Sequence, residues 1–263
     1  MINWNFKNKL VLITASSKGI GFQLAKEFAQ SNAKVAICSR SKKNLVNARN
    51  KILKFKPNAN IKFFKCDISK VKNINSLYKN VIKSFNSNID ILVNNSGGPK
   101  LKKVMQTNNS DWENTLNSNL KSFIYMSQRV IPGMKKKNWG RIINLTSMTA
   151  KEPAAKMVLS NVSRAGVVAF SKTLSKEIQS SGITVNSILT GSVLTDRLLQ
   201  LIKLNHKNKS KQALKSLANS IPVKRISDPK EFSQLVLFLC TDNASFINGN
   251  AIPVDGGLSK AIF

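Results

Sequence analysis

Thr14-Ala15-Ser16-Ser17-Lys18-Gly19-Ile20-Gly21 follows the apolar run Leu10–Ile13 and leads into the amphipathic segment Gln23–Gln30. A strand that stops at a tight glycine-bearing turn and restarts as a helix presents unpaired backbone N–H groups at the helix start, with the positive end of the helix dipole behind them. That arrangement binds a pyrophosphate, and glycine lets phosphate oxygens approach the backbone. A glycine-rich turn alone decides little; its place between a strand and a helix gives the reading its force.

Outward from this turn, β-branched and apolar runs alternate with amphipathic segments. The runs Lys34–Cys38, Ile61–Lys65, Ile89–Val93, Gly140–Asn144, Ile183–Ile188 and Ala251–Val254 read as further strands. Helical patterns lie between them, for example Leu77–Phe85, Trp112–Met134, Val167–Ile178 and Glu231–Cys240. Such alternation predicts an α/β fold: a doubly wound parallel sheet of about seven strands with helical crossovers on both faces. A length of 263 residues fits one domain, 1–263, better than two small ones. One stretch breaks the pattern. Leu198–Ser220 follows the sixth strand and carries Lys203, His206, Lys207, Lys209, Lys211 and Lys215. Ligands of open α/β sheets sit beyond the carboxyl ends of the strands, so residues 196–222 are placed to form a substrate lid; a solvated pair of surface helices is the plainer alternative.

Composition removes several function classes. The three cysteines, Cys38, Cys66 and Cys240, lie apart in apolar segments without CxxC spacing, which suits buried reduced thiols rather than disulfides or a zinc site. A single histidine builds neither a His-based triad nor a multi-His metal site, so no metal is expected. Residues 1–10 show no signal peptide, and no apolar stretch approaches the roughly 20 residues of a membrane span. The expectation is a cytoplasmic protein without a membrane partner. A formal net charge of +30 resembles a nucleic-acid footprint, but the lysines are scattered along the whole chain, so no specific nucleic acid is expected.

The glycine turn resembles the TGxxxGIG turn of the short-chain dehydrogenase/reductase family, with Ala15 in place of the first glycine. The likeness continues in order. Cys66-Asp67-Ile68 resembles the segment whose aspartate contacts adenine, and Asn94-Asn95-Ser96-Gly97 resembles the NNAG turn. Asn119 and Ser147 fall at the family's helix-four asparagine and strand-five serine. Asn186–Thr195 resembles N-x-x-x-P-G-x-x-x-T, with Thr190 at the proline, and Asp255-Gly256-Gly257 closes the series. The resemblance covers nearly the whole chain and implies a Rossmann-type fold, a nicotinamide dinucleotide cofactor and a homotetramer or homodimer. It places the cofactor against Thr14, Ser16, Ser17, Lys18, Gly19, Ile20 and Gly21, then Asp67, Ile68, Asn94, Ser96 and Gly97, and finally Arg164, Gly191, Val193 and Thr195. The methyl of Ala15 is a modest penalty where φ stays below zero. Arg40 ends strand two where a reader of the ribose 2′-OH would be acidic, and with Lys18 it favours NADP(H) over NAD(H), because a guanidinium offers a fork of donors to phosphate.

In the family a serine holds the substrate carbonyl and a tyrosine thirteen residues later passes the proton. A lysine four residues further on lowers the phenol pKa and grips the ribose, and the asparagine holds a water. Counting from Ser147 gives Ser160 and Arg164. The expected catalytic set is therefore Asn119, Ser147, Ser160 and Arg164. An aliphatic hydroxyl is a far poorer acid than a phenol, and an always-protonated arginine relays no proton. The chain also resembles a branch near the 3-oxoacyl carrier-protein reductases that carries S-N-x-x-R beside a G-G-P turn like Gly97-Gly98-Pro99. Three readings stand. The first is an NADP-dependent oxidoreductase acting on a small-molecule or acyl-thioester carbonyl, with an acyl carrier protein as a possible partner. The second is a catalytically silent nucleotide-binding subunit or regulator. The third is a charge-driven nucleic-acid or membrane-surface binder.

Overall fold

The computed structural model describes residues 4–178, 181–206 and 209–262, the last three residues of the second span by backbone only. Lys207 of the expected lid lies outside them. The strands are β1 (Leu10–Ile13), β2 (Lys34–Ser39), β3 (Ile61–Lys65), β4 (Ile91–Asn94), β5 (Gly140–Leu145), β6 (Ile183–Thr190) and β7 (Ala251–Val254). They form one sheet in the order β3-β2-β1-β4-β5-β6-β7, and every pairing is parallel. The helices are α1 (Gly19–Gln30), α2 (Lys42–Phe55), α3 (Val71–Phe85), α4 (Asn109–Leu116), α5 (Ser122–Lys136), α6 (Val158–Glu177), α7 (Asp196–His206), α8 (Ser210–Ser220) and α9 (Pro229–Leu239).

The strands are apolar at successive positions because both faces of the sheet are covered. Side chains alternate across β1: Val11 and Ile13 pack with Leu24 and Phe28 of α1, Leu45 of α2 and Phe232 and Val236 of α9. Leu10 and Leu12 face the opposite layer, with Ile74 and Val81 of α3, Met126 and Val130 of α5 and Leu174 of α6. Ligation of the layers is not purely apolar. Asn94 Nδ2 donates to Asn144 Oδ1 at 2.8 Å, Asn144 Nδ2 donates to Ser171 Oγ at 2.8 Å, and Ser187 Oγ donates to the same Ser171 oxygen at 2.9 Å. This buried polar chain fixes the register of β4, β5, β6 and α6 against one another.

Local chemistry sets the helix ends. Ser41 caps α2 by accepting from the Asn44 N–H at 3.2 Å, and Asp228 with Glu231 forms a capping box at the start of α9, with Pro229 at its first position. The predicted helix Trp112–Met134 is longer and less regular than its periodicity implies. It runs as α4 and α5 joined through a π-helical turn, Asn117–Lys121. Leu198–Ser220, which broke the strand–helix alternation, forms α7 and α8.

The strand order reverses direction at β1, between β2 and β4. In open α/β sheets a crevice opens outside the carboxyl ends of the strands at such a point. Most of the expected site residues fall in loops or helix starts at that end; Asn94 ends β4, Asn119 lies between α4 and α5, and Arg164 sits in the second turn of α6.

Candidate active site

The glycine turn is held from below. Thr14 Oγ1 accepts from the Asn95 N–H at 2.7 Å and donates to the Asn95 carbonyl at 2.6 Å. Ser16 Oγ donates to the Ile13 carbonyl at 2.7 Å and accepts from the Cys38 N–H at 3.1 Å. Both side chains are buried and knit the ends of β1, β2 and β4 together; neither lines the crevice. Asn94, equally buried, belongs to the polar chain between the layers. Gly21 also stands back from the crevice, where a Cβ would meet Asn95 Nδ2 at 2.7 Å and Ala15 O at 2.9 Å.

Ala15 departs from the expected backbone: its φ is +45°, in the left-handed region. An alanine there costs about 1 kcal/mol relative to an unstrained residue. Its carbonyl is held by Asn95 Nδ2 at 3.1 Å, which fixes the strained peptide. Gly19, at φ +58°, takes the second left-handed position of the turn without that cost. Lys18 is the N-cap of α1 and provides no side-chain cap, so the first-turn N–H groups face the crevice beside Ser17, Gly19 and Ile20.

The crevice has a volume of about 1040 Å³. Arg40, Asp67 and Ile68 line one end, and a smaller cavity of about 570 Å³ shares Arg40 and Asp67 with it. Asp67 Oδ1 accepts from the Ser69 N–H and hydroxyl at 3.1 and 2.8 Å. Ser96 and Gly97 line its middle, and Gly191, Val193 and Thr195 its opposite wall. Thr190, at the family's proline position, donates from Oγ1 to the Thr146 carbonyl at 2.9 Å. Across the mouth, Arg197 of α7 donates to the Pro99 carbonyl at 3.2 Å, joining the segment after β6 to the Gly97-Gly98-Pro99 loop.

Ser147, Ser160 and Arg164 all line the crevice. Ser147 follows β5 and accepts the Thr149 N–H at 3.2 Å. Ser160 lies on the first turn of α6, and its hydroxyl shares a hydrogen bond of 3.1 Å with Thr149 Oγ1. Arg164 follows one turn later on the same helix face, so its side chain neighbours Ser160. It is buried, and Nη1 donates to the Leu145 carbonyl at 2.9 Å. Burial alone pulls its guanidinium down to about 10. Asn119 occupies the π-helical turn; its Nδ2 donates to Ser96 Oγ at 3.1 Å and Gly97 O at 2.9 Å, so the amide braces the loop after β4. Thr149, Asn95 and Arg197 were not singled out in the sequence. Asn95 left a trace inside the Asn94–Gly97 motif, and Thr149 as a hydroxyl two residues after Ser147.

Among the described residues no helix is long and apolar enough to cross a membrane, and no cluster of three His, Cys, Asp or Glu could hold a metal ion. The three cysteines are buried and free.

The family of enoyl-(acyl carrier protein) reductases matches residues 14–259. A 3-oxoacyl-[acyl-carrier-protein] reductase of Chlamydia trachomatis is 32% identical over 252 residues, covering 96% of this chain and 98% of the relative. One from Buchnera aphidicola is 33% identical over 250 residues, covering 95% and 97%. In structure, the L-sorbose reductase of Gluconobacter frateurii, solved with NADPH and L-sorbose, superposes with a TM-score of 0.93 at 28% identity, covering 99% of this chain and all of that one. YwfH, an NADPH-dependent reductase of bacilysin biosynthesis, superposes at 0.91 with 29% identity, covering 97% and 99%. Fold and crevice thus define an oxidoreductase of carbonyl and alcohol groups that works with a nicotinamide cofactor. The chain belongs to the short-chain dehydrogenase/reductase family.

Proposed function

We propose that this protein is an NADPH-dependent reductase of 3-oxoacyl carbonyls whose site works with Ser147, Ser160 and Arg164 where relatives use a serine, a phenol and a lysine. The observation that carries the reading is that these three residues line the same crevice as an uncapped glycine turn.

The residues present fit a dinucleotide. The open N–H groups at Lys18–Ile20 suit the pyrophosphate, and Gly97 and Gly98 leave free space in front of the middle of the crevice. Asp67 and Ile68 suit the adenine, Arg40 and Lys18 a 2′-phosphate, and Arg164, Gly191, Val193 and Thr195 the nicotinamide half. The NADPH in the sorbose reductase complex and the NADPH dependence of YwfH support the phosphorylated cofactor. When bound, the cofactor supplies a hydride to the carbonyl carbon.

The chain's own groups then act on the carbonyl oxygen. Ser147 and Ser160 present hydroxyls to it, and Arg164 offsets the negative charge that grows there, an effect strengthened by burial. Arg164 keeps its own proton, so the proton reaches the oxygen from water through the hydroxyls of Ser160 and Thr149. Asn119 holds the loop of Ser96 and Gly97 in place. The segment 196–222 acts as the lid, hinged at the Arg197–Pro99 contact. Assembly as a homodimer or homotetramer is what the family resemblance implies, and the names of the carrier-protein reductases support an acyl carrier protein as substrate carrier. The whole chain, 1–263, works as one domain.

Fluorescence titration with NADPH, followed by NADPH oxidation with acetoacetyl thioesters, tests the reading. The expected result is clear binding with slow turnover, and a faster rate in the double variant Ser160→Tyr, Arg164→Lys. Absence of NADPH binding overturns it. Binding without turnover, unchanged in the double variant, favours instead the nucleotide-binding subunit to which the missing phenol points.

A further inference from the structure

Among the described residues, Arg164 is a cation without a counterion. Its side chain is only 5% exposed. One of its five N–H groups has a protein acceptor, the Leu145 carbonyl, and Nε is buried with no partner. Ion pairs among the described residues do not include it. Three acids line the same crevice: Asp67 is engaged with Ser69, Asp111 with Lys102 and Lys100, and Asp196, at the start of α7, forms no ion pair with Arg164. The Phe123 ring, 5.8 Å from the guanidinium, is its remaining close electrostatic neighbour. Taking a charge out of water without a partner is unfavourable, and one carbonyl does not balance a guanidinium.

The missing anion has to come with a ligand. Ribose hydroxyls are neutral, and the oxyanion of a reduction exists only fleetingly. The pyrophosphate lies at the start of α1 on the reading above. Ser160 and Arg164, four residues apart on α6, put a carbonyl-binding hydroxyl and a cation within the span of a very short molecule. We propose that the substrate is a short oxo acid, its carbonyl on Ser147 and Ser160 and its carboxylate paired with Arg164. This rests on the reductase reading and replaces its 3-oxoacyl thioester, and with it the carrier protein, by the free 3-oxo acid. In the reaction the ketone carbon accepts a hydride from the reduced nicotinamide. The carbonyl π electrons move to oxygen, that oxygen takes one proton from water, and the carboxylate is unchanged.

The test compares acetoacetate with its uncharged methyl ester on the full-length protein. In thermal unfolding without cofactor, the acid is expected to raise the Tm of the wild type and, less, of Arg164→Lys, and to leave Arg164→Met unmoved; the ester moves none of them. Ligand-free Arg164→Met is expected to melt no lower than the wild type, since it loses an unpaired charge. With NADPH, the acid should exceed the ester in kcat/KM by about tenfold or more in the wild type, through KM, and the two should converge in Arg164→Met. An equal shift with acid and ester, or an acid shift that survives in Arg164→Met, overturns the proposal. Failure of the reductase reading is separate: NADPH then neither binds nor is consumed, while the cofactor-free melting curves still decide the anion site.

Discussion

The hydroxyls of Thr149 and Ser160 lie 3.1 Å apart inside the crevice wall. The backbone N–H of the same threonine reaches Ser147 Oγ at 3.2 Å, so one residue orients both serines. Replacing Thr149 with valine keeps the shape and the backbone bond but frees the Ser160 hydroxyl. The expected outcome is a fall in kcat of about tenfold with little change in KM, and recovery in Thr149→Ser. Steady-state kinetics on the two variants decide it; an undiminished kcat in the valine variant removes Thr149 from the proton path.

Arg164 makes stability depend on pH in an unusual direction. Its folded-state value, about 10, lies below the ordinary guanidinium value. The unfolded chain therefore holds the proton more tightly between those two values, and stability from this group rises with pH across the window. The cost of the charge is fully present below pH 10 and amounts to something on the order of 3 kcal/mol. Denaturant midpoints of the wild type minus those of Arg164→Met, measured from pH 8 to about 11.5, isolate this contribution from the many lysines. A flat difference would contradict it.

Ala15 carries a left-handed backbone that its side chain opposes. Glycine there relieves the strain, so Ala15→Gly should be more stable by about 1 kcal/mol in urea unfolding. A loss of stability would mean the turn is not strained as described.

Glu152 ties the C-terminal segment to the loop between Ser147 and Ser160. Its carboxylate accepts from Ser259 Oγ at 2.7 Å and from the Lys260 and Ala261 N–H groups, both at 2.6 Å. The Ser259 hydroxyl and these N–H groups hold it below its ordinary value of 4.5. The stabilisation is complete above that ordinary value and disappears as pH falls through the lowered one. In Glu152→Gln at neutral pH, hydrogen exchange at Lys260 and Ala261 should quicken and carboxypeptidase should trim the end faster. Unchanged exchange would show that the tail is held by other contacts.

Much of the fold was legible because a parallel sheet covered on both faces writes its central strands as apolar runs, as in Leu10–Ile13 and Ile91–Val93. The crevice was legible through motif order, since Gly19, Asp67 and Ser147 each follow a recognisable strand and Ser160 is counted from Ser147. Orientation was not. Thr14, Ser16 and Asn94 sit in the right motifs, yet their side chains turn inward to partners 22 to 81 residues away, which no local pattern records. The same holds for Arg197, whose partner Pro99 lies 98 residues away and whose charge is lost among 42 lysines and arginines. Ala15 defeated expectation for a different reason: composition says nothing of φ.

The π-helical turn at Asn117–Lys121 has one further consequence. A wider loop of backbone there means that deleting a single residue would let the long segment wind as a regular α-helix throughout. The wider turn absorbs its extra residue locally, so α4 and α5 would keep the faces they present while the side chains within the turn shift. Asn119 would lose Ser96 and Gly97, while Met126 and Val130 could stay seated against the sheet. A chain shortened by one residue in this turn would keep its fold and lose the brace of its crevice.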